Sequence, residues 1–537
     1  MVAQGRSIDE TVISTAAEKL FTVFGLIVAR LTTTASLESA HQQITSLLRQ
    51  HAEWLYVVAD ETPQSVRRDE IDVAISHERL VLSCWTEKGT RWWRIHSWQW
   101  TGQSLMLQAS RKMGAELSLI ELVPRTSAKA IAATIRAARE LRCDRLAQLA
   151  CALQPATVIE RLALSRGTRP GQPGRYAQIL LKRKCERIAV TGPVVSSHPA
   201  AVDAFLSSAL LWSRRTADRI KPPHVHQFWL IVSPELLKPL LYRVALLRGS
   251  LKDVIRVFTV DDDLISLTEV ICPDKQELWK AKLARFPPVA PATLSKRAAA
   301  IVAEAPDAID VVNARHGETL RYFGLPFVRV RSLFGSEKVW FGINRAHRRL
   351  LDESTLDEWQ NLLSDLREHR SASACDHHHA FYRAAPEAWL ESLLRRDITK
   401  LDPGLIIAPL HAQFRTARGA KLGIRPIDLL ALRQDGRLVV IELKVSEDRE
   451  HVLQGADYWR RVEAHRRRGH IARAKLFGER KIRDESPLVY LVAPTLRVHP
   501  SFQILAQSIS SDIEIYRFDI NEDWRAGVRI MRRRRVN

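Results

Sequence analysis

The sequence predicts an α/β protein of several domains. Three observations carry this. The chain has 537 residues, and at roughly 100–200 residues per domain it divides into several units. Strand-like and helix-like apolar patterns alternate over Val158–Leu267 and again from Pro386 to the end, the rhythm of an α/β fold. From Trp54 to Val123 short apolar runs instead follow one another between Gly, Asp, Glu and Lys turns, the texture of a small antiparallel β domain. The expected organisation is a helical start plus β-rich domain over 1–125, an α/β domain over 126–285, a linker with a small α+β segment over 286–380, and a second α/β domain over 381–537.

The elements follow in order. Thr15–Phe24 and Leu37–Leu48 carry apolar residues at mixed three- and four-residue spacing, which predicts helices. The strand runs are Trp54–Val58, Ile71–Ile75, Leu80–Cys84, Trp92–Trp98, Ser104–Leu107 and Leu117–Leu122. Their aromatics Trp92, Trp93, Trp98 and Trp100 read first as residues that fill the pleat and second as platforms for nucleic-acid bases. Thr126–Leu153 is an amphipathic helix pattern rich in Ala, Leu and Arg. Phe286-Pro287-Pro288-Val289-Ala290-Pro291 reads as a linker. Ala298–Arg370 follows, with a hairpin (Phe327–Val330, Val339–Ile343) and a charged helix, Leu356–Glu368. The tail Arg532-Arg533-Arg534-Arg535 reads either as a phosphate contact or as a solvated end.

Composition narrows the function. Lys+Arg number 81 against 60 Asp+Glu, a formal charge of +21, and the pI is near 10.0. That balance favours a polyanionic partner. No run of about 18 uncharged apolar residues occurs, so no membrane span is expected. No basic leader with an apolar core opens the chain, and the six cysteines are scattered without a CxxC. Both fit a reducing cytoplasm, the expected location. Gly167–Gly174 lacks the Gly-Lys-Ser/Thr of a phosphate loop, so no NTPase motor is expected in this chain. His369, Cys375, Asp376, His377, His378 and His379 read as a solvated loop, since consecutive histidines point in different directions.

The chemistry concentrates in Gly423–Val445. Asp435-Gly436 is a hairpin signal between two apolar runs, so the runs pair antiparallel. Asp428 near the start of the first strand then meets Glu442 near the end of the second. Glu442 and Lys444 are two apart and share a face. Burying such groups in an apolar strand is costly without a compensating ion. Two converging carboxylates ask for a hard divalent cation, Mg²⁺ or Mn²⁺. A lysine beside it orients the attacking water and steadies charge on phosphate, an apparatus for metal-assisted phosphodiester hydrolysis. Upstream, Pro386–Leu394 reads as a helix whose Glu387 and Glu391 share a face, and one of them is expected to supply a third carboxylate. Downstream, Gln454 and Tyr458 stand one helical turn apart. Arg415, Arg418, Lys421 and Arg425, and beyond the site Arg460 and Arg461, are candidates for a phosphate track.

On Glu387/Glu391, Pro426-Ile427-Asp428, Glu442-Leu443-Lys444 and Gln454-x-x-x-Tyr458, the segment from Pro386 to the C-terminus resembles the PD-(D/E)xK nuclease superfamily, more closely its RecB-like branch and the NucS-type endonucleases. The RecB-type histidine motif is not evident upstream, so a NucS-like or archaeal-Holliday-type arrangement fits better. The resemblance implies a restriction-endonuclease-like αβ sandwich. It implies that Asp428, Glu442 and the Leu443 carbonyl hold the metal, that Lys444 assists the water, and that Gln454 and Tyr458 support the site and the DNA backbone.

The middle of the chain echoes this domain. Arg187–Ser196 aligns with Arg437–Ser446, which sets Gly192 on Glu442, Val194 on Lys444 and, upstream, Gln178 on Asp428. Phe228–Pro234 parallels Val489–Pro494, and Val254–Asp261 parallels Ile513–Asp519. The expectation is a tandem nuclease-like fold whose first copy has lost its ligands.

The expected function is a cytoplasmic, Mg²⁺-dependent DNA nuclease that hydrolyses phosphodiesters with metal-activated water, acting endonucleolytically in repair, recombination or defence. The alternatives are a non-catalytic nucleic-acid-binding protein that uses nuclease-like folds as platforms, and a nuclease subunit of a larger complex. DNA is the expected partner, no membrane is, and a homodimer or a helicase/ATPase partner stays open.

Overall fold

The computed structural model describes residues 29–537 except 31–33, 59–62, 87–88, 112–115, 168–172, 196–197, 220–221, 223, 262–263, 281–282, 284–285, 287–293, 315–316, 334–335, 344–347 and 417–424. The expected helix Thr15–Phe24 lies outside the described residues, as does most of the Pro-rich linker. The protein is a mixed α/β chain with several sheets. It forms two compact units, Met1–Arg145 with Ala163–Arg175, and Leu146–Leu162 with Tyr176–Asn537.

The N-terminal unit is built on an eight-stranded antiparallel sheet. Its strands run in the spatial order Gln64–Arg67, Glu53–Val58, Glu116–Pro124, Leu105–Arg111, Gly89–Trp100, Arg79–Thr86, Ile71–Ser76, with Ala29–Arg30 pairing Gly89–Trp100 off that path. Helix Thr34–Arg49 presents Ala40, Ile44 and Leu48, spaced by four, to the sheet core. Trp93 is buried and donates its indole N–H to the Tyr56 hydroxyl at 2.7 Å. Trp98 and Trp100 pack partly buried against the same core. Of the four tryptophans read as candidate base platforms, only Trp92 stands open, at 62% exposure.

The second unit holds three sheets, the first of them less the strand ends 163–166 and 173–175. The first has six strands, in the order β6-β5-β4-β3-β2-β1: β1 (Val158–Arg166), β2 (Pro173–Arg183), β3 (Glu186–Pro193), β4 (Val225–Val232), β5 (Ile255–Val260) and β6 (Leu267–Val270). Helices α1 (Val202–Arg219) and α2 (Pro234–Val244) make its crossovers. A five-stranded antiparallel meander follows, Ile309–Ala314, Gly317–Tyr322, Leu325–Leu333, Ser336–Phe341 and Arg349–Leu350. It contains the expected hairpin, and helix Leu356–His369 packs Trp359, Leu363 and Leu366 onto it. The buried Arg370 then donates to the carbonyls of Tyr322, Phe323, Phe381 and Ala384 at 2.6–2.8 Å. That pins the meander to the chain entering α3 (Pro386–Arg396).

The last sheet has strands β7 (His411–Phe414), β8 (Ile427–Leu432), β9 (Leu438–Leu443), β10 (Leu488–Pro494), β11 (Ile515–Ile520) and β12 (Ile530–Arg535). Its order is β7-β8-β9-β10-β11-β12, with α4 (His451–Arg467) and α5 (Phe502–Ser508) between the parallel strands. Order and crossovers repeat those of the first sheet. The register repeats as well: Thr191 pairs Gln178 and Leu230, and Leu230 pairs Val257. Correspondingly, Ile441 pairs Leu429 and Tyr490, and Tyr490 pairs Tyr516. This corrects the sequence alignment by one position. Ala177, which pairs Gly192, takes the place of Asp428, and Gln178 takes that of Leu429. A slip of one residue turns a side chain to the other face of a strand, and apolar similarity alone does not fix it.

The helical layers of the two six-stranded sheets share one core. Phe205, Leu206, Leu236 and Leu240 of α1 and α2 cluster with Val452, Ala456, Trp459 and Leu505 of α4 and α5. Across it, Arg243 of α2 binds Asp203 of α1 at 2.9 Å and Asp457 of α4 at 3.1 Å. The tail Arg532–Arg535 is not a loose end in this fold. It lies in edge strand β12, paired with β11, and Arg533 reaches Asp402 at 3.5 Å. Among the described residues, no helix is long and apolar enough to cross a membrane.

Candidate active site

The site begins with a turn. The Gly436 N–H donates to Arg433 O at 2.9 Å, and the glycine sits at φ 84°. A Cβ there would come 2.6 Å from the Lys481 carbonyl, so this position needs glycine on two counts. The turn fixes Leu432 opposite Leu438 and Leu429 opposite Ile441. One residue further, Asp428 comes level with Glu442, on the same face. On the other face Val439, Ile441 and Leu443 bury themselves under Trp389, Leu390 and Leu394 of α3.

Asp428 Oδ2 accepts the Leu443 N–H at 2.8 Å. Lys444 Nζ donates to Glu442 Oε1 at 2.8 Å and stands 3.6 Å from Asp448 Oδ2. Glu442 is 1% exposed, its carboxyl lies against that of Asp428, and its Oε2 has no other hydrogen-bond partner among the described residues. An orphaned, buried carboxylate oxygen is uncommon enough to call for an explanation. Both candidate glutamates of α3 come to this place. Glu391 accepts from Gln413 Nε2 at 2.7 Å and has Arg321 of the meander at 3.8 Å. Glu387 is half-buried where Lys444, Asp428 and Asp448 all act on its carboxyl. On α4, Gln454 donates to Glu450 at 3.3 Å and leaves its own Oε1 buried and unpartnered. Tyr458 is buried one turn on, with the Arg461 guanidinium over its ring at 4.5 Å.

Burial and charge set the protonation. Burial, then the neighbouring Asp428, pushes the Glu442 carboxyl well above the usual carboxylate range, against the pull of Lys444. Burial also raises Asp428, against the Leu443 N–H and Lys444. Burial likewise raises Glu387 and Glu391. Burial opposes the charge on Lys444, but Glu442 and Glu387 outweigh it and hold the amine protonated. Glu442, Glu387 and Asp428 thus compete around one ammonium, and they retain protons that a cation would displace.

The basic candidates separate. Arg415 is exposed. Arg425 is exposed and its Nη1 lies 3.6 Å from Glu450. Arg418 and Lys421 lie outside the described residues. Arg460 and Arg461, read as candidates for a phosphate track, are turned into the fold instead of standing open to solvent. Arg461 is buried, donating to the Thr416 hydroxyl at 3.2 Å and the Arg425 carbonyl at 2.9 Å. Arg460 grips Asp457 at 2.6 Å and lies 4.3 Å over the Tyr242 ring. Their helix face is covered by the first half, so they are spent on packing.

Three residues escaped sequence reading. Gln413 links Glu391 toward Asp428 from β7 at φ 49°, a strained conformation for a non-glycine residue. Arg321 arrives from the meander. His451, at the start of α4, is buried with its Nε2 3.3 Å from the Glu442 carbonyl, and burial followed by Lys444 lowers its pKa to about 3, so it is neutral. None has a local motif.

Among the described residues, no group of three or more His, Cys, Asp or Glu side chains is gathered to cage a metal by itself. The rings of His369 and His379 stack on each other at 3.8 Å. Compared with protein families, with curated proteins and with solved structures, the chain matches none.

Proposed function

We propose that the chain is a metal-dependent nuclease acting on DNA, with its site where the start of β8 meets the end of β9. The observation that carries the reading is the meeting of Asp428 and Glu442 at one level of a buried sheet beside Lys444, with a Glu442 oxygen left unpartnered. The strand order and the α3 glutamates also support a PD-(D/E)xK reading of this domain.

Asp428, Glu442 and the Leu443 carbonyl would hold Mg²⁺ or Mn²⁺. Two carboxylates and a carbonyl suit a hard ion that keeps several waters and takes its remaining ligands from phosphate. Such an ion supplies an acidified water and neutralises phosphate charge. Lys444 is protonated and acts as a hydrogen-bond donor that orients the water and the scissile phosphate. Glu391, clamped by Gln413 and Arg321, steadies Asp428 by fixing the hydrogen-bond chain behind it. Arg415 and Arg425 lie on exposed ground and draw in the polyanion.

The test incubates the purified chain with labelled single-stranded, duplex and branched DNA in Mg²⁺ or EDTA. Metal-dependent cutting that disappears in Asp428→Ala and Lys444→Ala is expected, and cutting unchanged by those substitutions would refute the reading. A second reading is a nucleic-acid platform without catalysis. That reading predicts salt-dependent DNA binding and no cutting under any condition.

A further inference from the structure

We infer that the β1–β6 half is a built-in second half whose site is permanently closed, so that one chain cuts only one strand of a duplex per encounter. The inference rests on the nuclease reading of the β7–β12 half and adds to it the number of strands cut.

The two halves correspond residue by residue. With Thr191 set on Ile441, the places of Asp428, Glu442 and Lys444 fall to Ala177, Gly192 and Val194. None of the three can ligate a cation or donate to phosphate. The loss is built into the backbone. A Cβ on Gly192 would stand 2.7 Å from the Ile231 carbonyl of β4, closer than real contacts allow. Strand β4 has closed over the place a carboxylate would need.

The halves also meet as two copies of one surface would. Arg248 N–H donates to Ser508 O at 3.0 Å and Ser510 N–H donates to Leu246 O at 2.9 Å, with Leu247 and Ile509 as the bridging pair. Both segments follow the second crossover helix of their half, α2 in one and α5 in the other. Such reciprocal bonding between equivalent segments marks an isologous contact. The α1, α2, α4 and α5 faces are buried in the shared core, and Arg243 is ion-paired across them. The face on which a second catalytic half would dock is already occupied. One chain therefore breaks one P–O ester bond. The oxygen of water joins phosphorus, and its proton goes to the leaving sugar oxygen. A second cut needs a second, independent encounter.

The full chain is tested on supercoiled circular duplex DNA in Mg²⁺, with protein in excess. The expected result is that open circles accumulate until the supercoiled form is nearly consumed, and linear DNA appears only later. Light scattering on a short duplex in Ca²⁺ without Mg²⁺ is expected to give one chain per duplex. Linear DNA formed as fast as open circles, or two chains per duplex, overturns this inference and leaves the nuclease reading standing. Absence of Mg²⁺-dependent cutting on any DNA, or cutting untouched by Asp428→Ala, overturns both.

Discussion

Replacing Arg243 by Met tests the joint between the two halves. Arg243 holds Asp203 through two bonds, Nε–Oδ1 at 2.9 Å and Nη2–Oδ2 at 3.2 Å, and Asp457 through Nη1 at 3.1 Å. Both aspartates are buried. Removing one partner of a buried pair costs about 3–5 kcal/mol, because the other charge stays uncompensated. Asp457 keeps Arg460 at 2.6 Å and Arg461 at 3.3 Å, so most of the cost falls on Asp203 and the lower end, about 3 kcal/mol, is expected. Burial opposes the charge on Asp457, but the surrounding arginines hold its carboxyl far below the usual range. A depressed carboxylate stabilises the fold above its unfolded pKa of about 4 and loses that contribution as pH falls through the folded value. The gap between wild type and Arg243→Met is therefore widest near neutrality and narrows in acid. Hydrogen exchange of peptides from α1, α2 and α4 reads it locally, which avoids assuming a two-state chain. Exchange within about 0.5 kcal/mol of wild type at neutral pH would refute the reasoning. Adding Asp203→Leu to Arg243→Met should return part of the loss.

In EDTA, Asp428→Asn should stabilise the protein at neutral pH, read as a higher melting temperature. The raised folded pKa values of Asp428 and Glu442 contribute stability that is present below the unfolded values and lost as pH rises, so the variant should also flatten thermal stability against pH in that window. Lys444→Ala should lower cutting on the order of 10²–10³-fold, read from the initial rate on labelled DNA with folding checked by circular dichroism. Gly192→Ala should cost about 1–3 kcal/mol from the clash with β4, measured as a shift in the urea midpoint. Arg415→Ala should reduce the salt slope of DNA binding by about 1, whereas Arg461→Ala should leave that slope unchanged and lower thermal stability instead.

What the sequence revealed and what it hid follow from distance along the chain. The Asp435-Gly436 turn and the apolar runs beside it are local, so the strand pair and the meeting of Asp428, Glu442 and Lys444 could be read directly. Gln413 and Arg321 arrive from elements whose placement depends on tertiary packing. The fate of Arg460 and Arg461 was hidden for a related reason. Helix α4 has almost no solvent-facing side, because a second α/β half covers it, and a basic helix face reads the same in sequence whether it meets water or a buried aspartate. The repeat was legible as a matching of apolar positions, but its register needed the hydrogen-bonded ladder. The polyarginine tail shows the converse: composition suggested a phosphate contact or a solvated end, and the segment pairs as a strand with the Arg533 guanidinium over Tyr490, Tyr516 and Phe518.

The covalent linkage of the two halves has a consequence for dilution. Two separate subunits joined by such a contact would part company as their concentration fell, and their pairing would follow the rate of synthesis. Halves tethered on one chain see each other at a fixed effective concentration. Their association is therefore insensitive to how many molecules a cell makes, and the ratio of one half to the other is always unity. Under that arrangement the β1–β6 half must preserve its helical face, Arg243 above all.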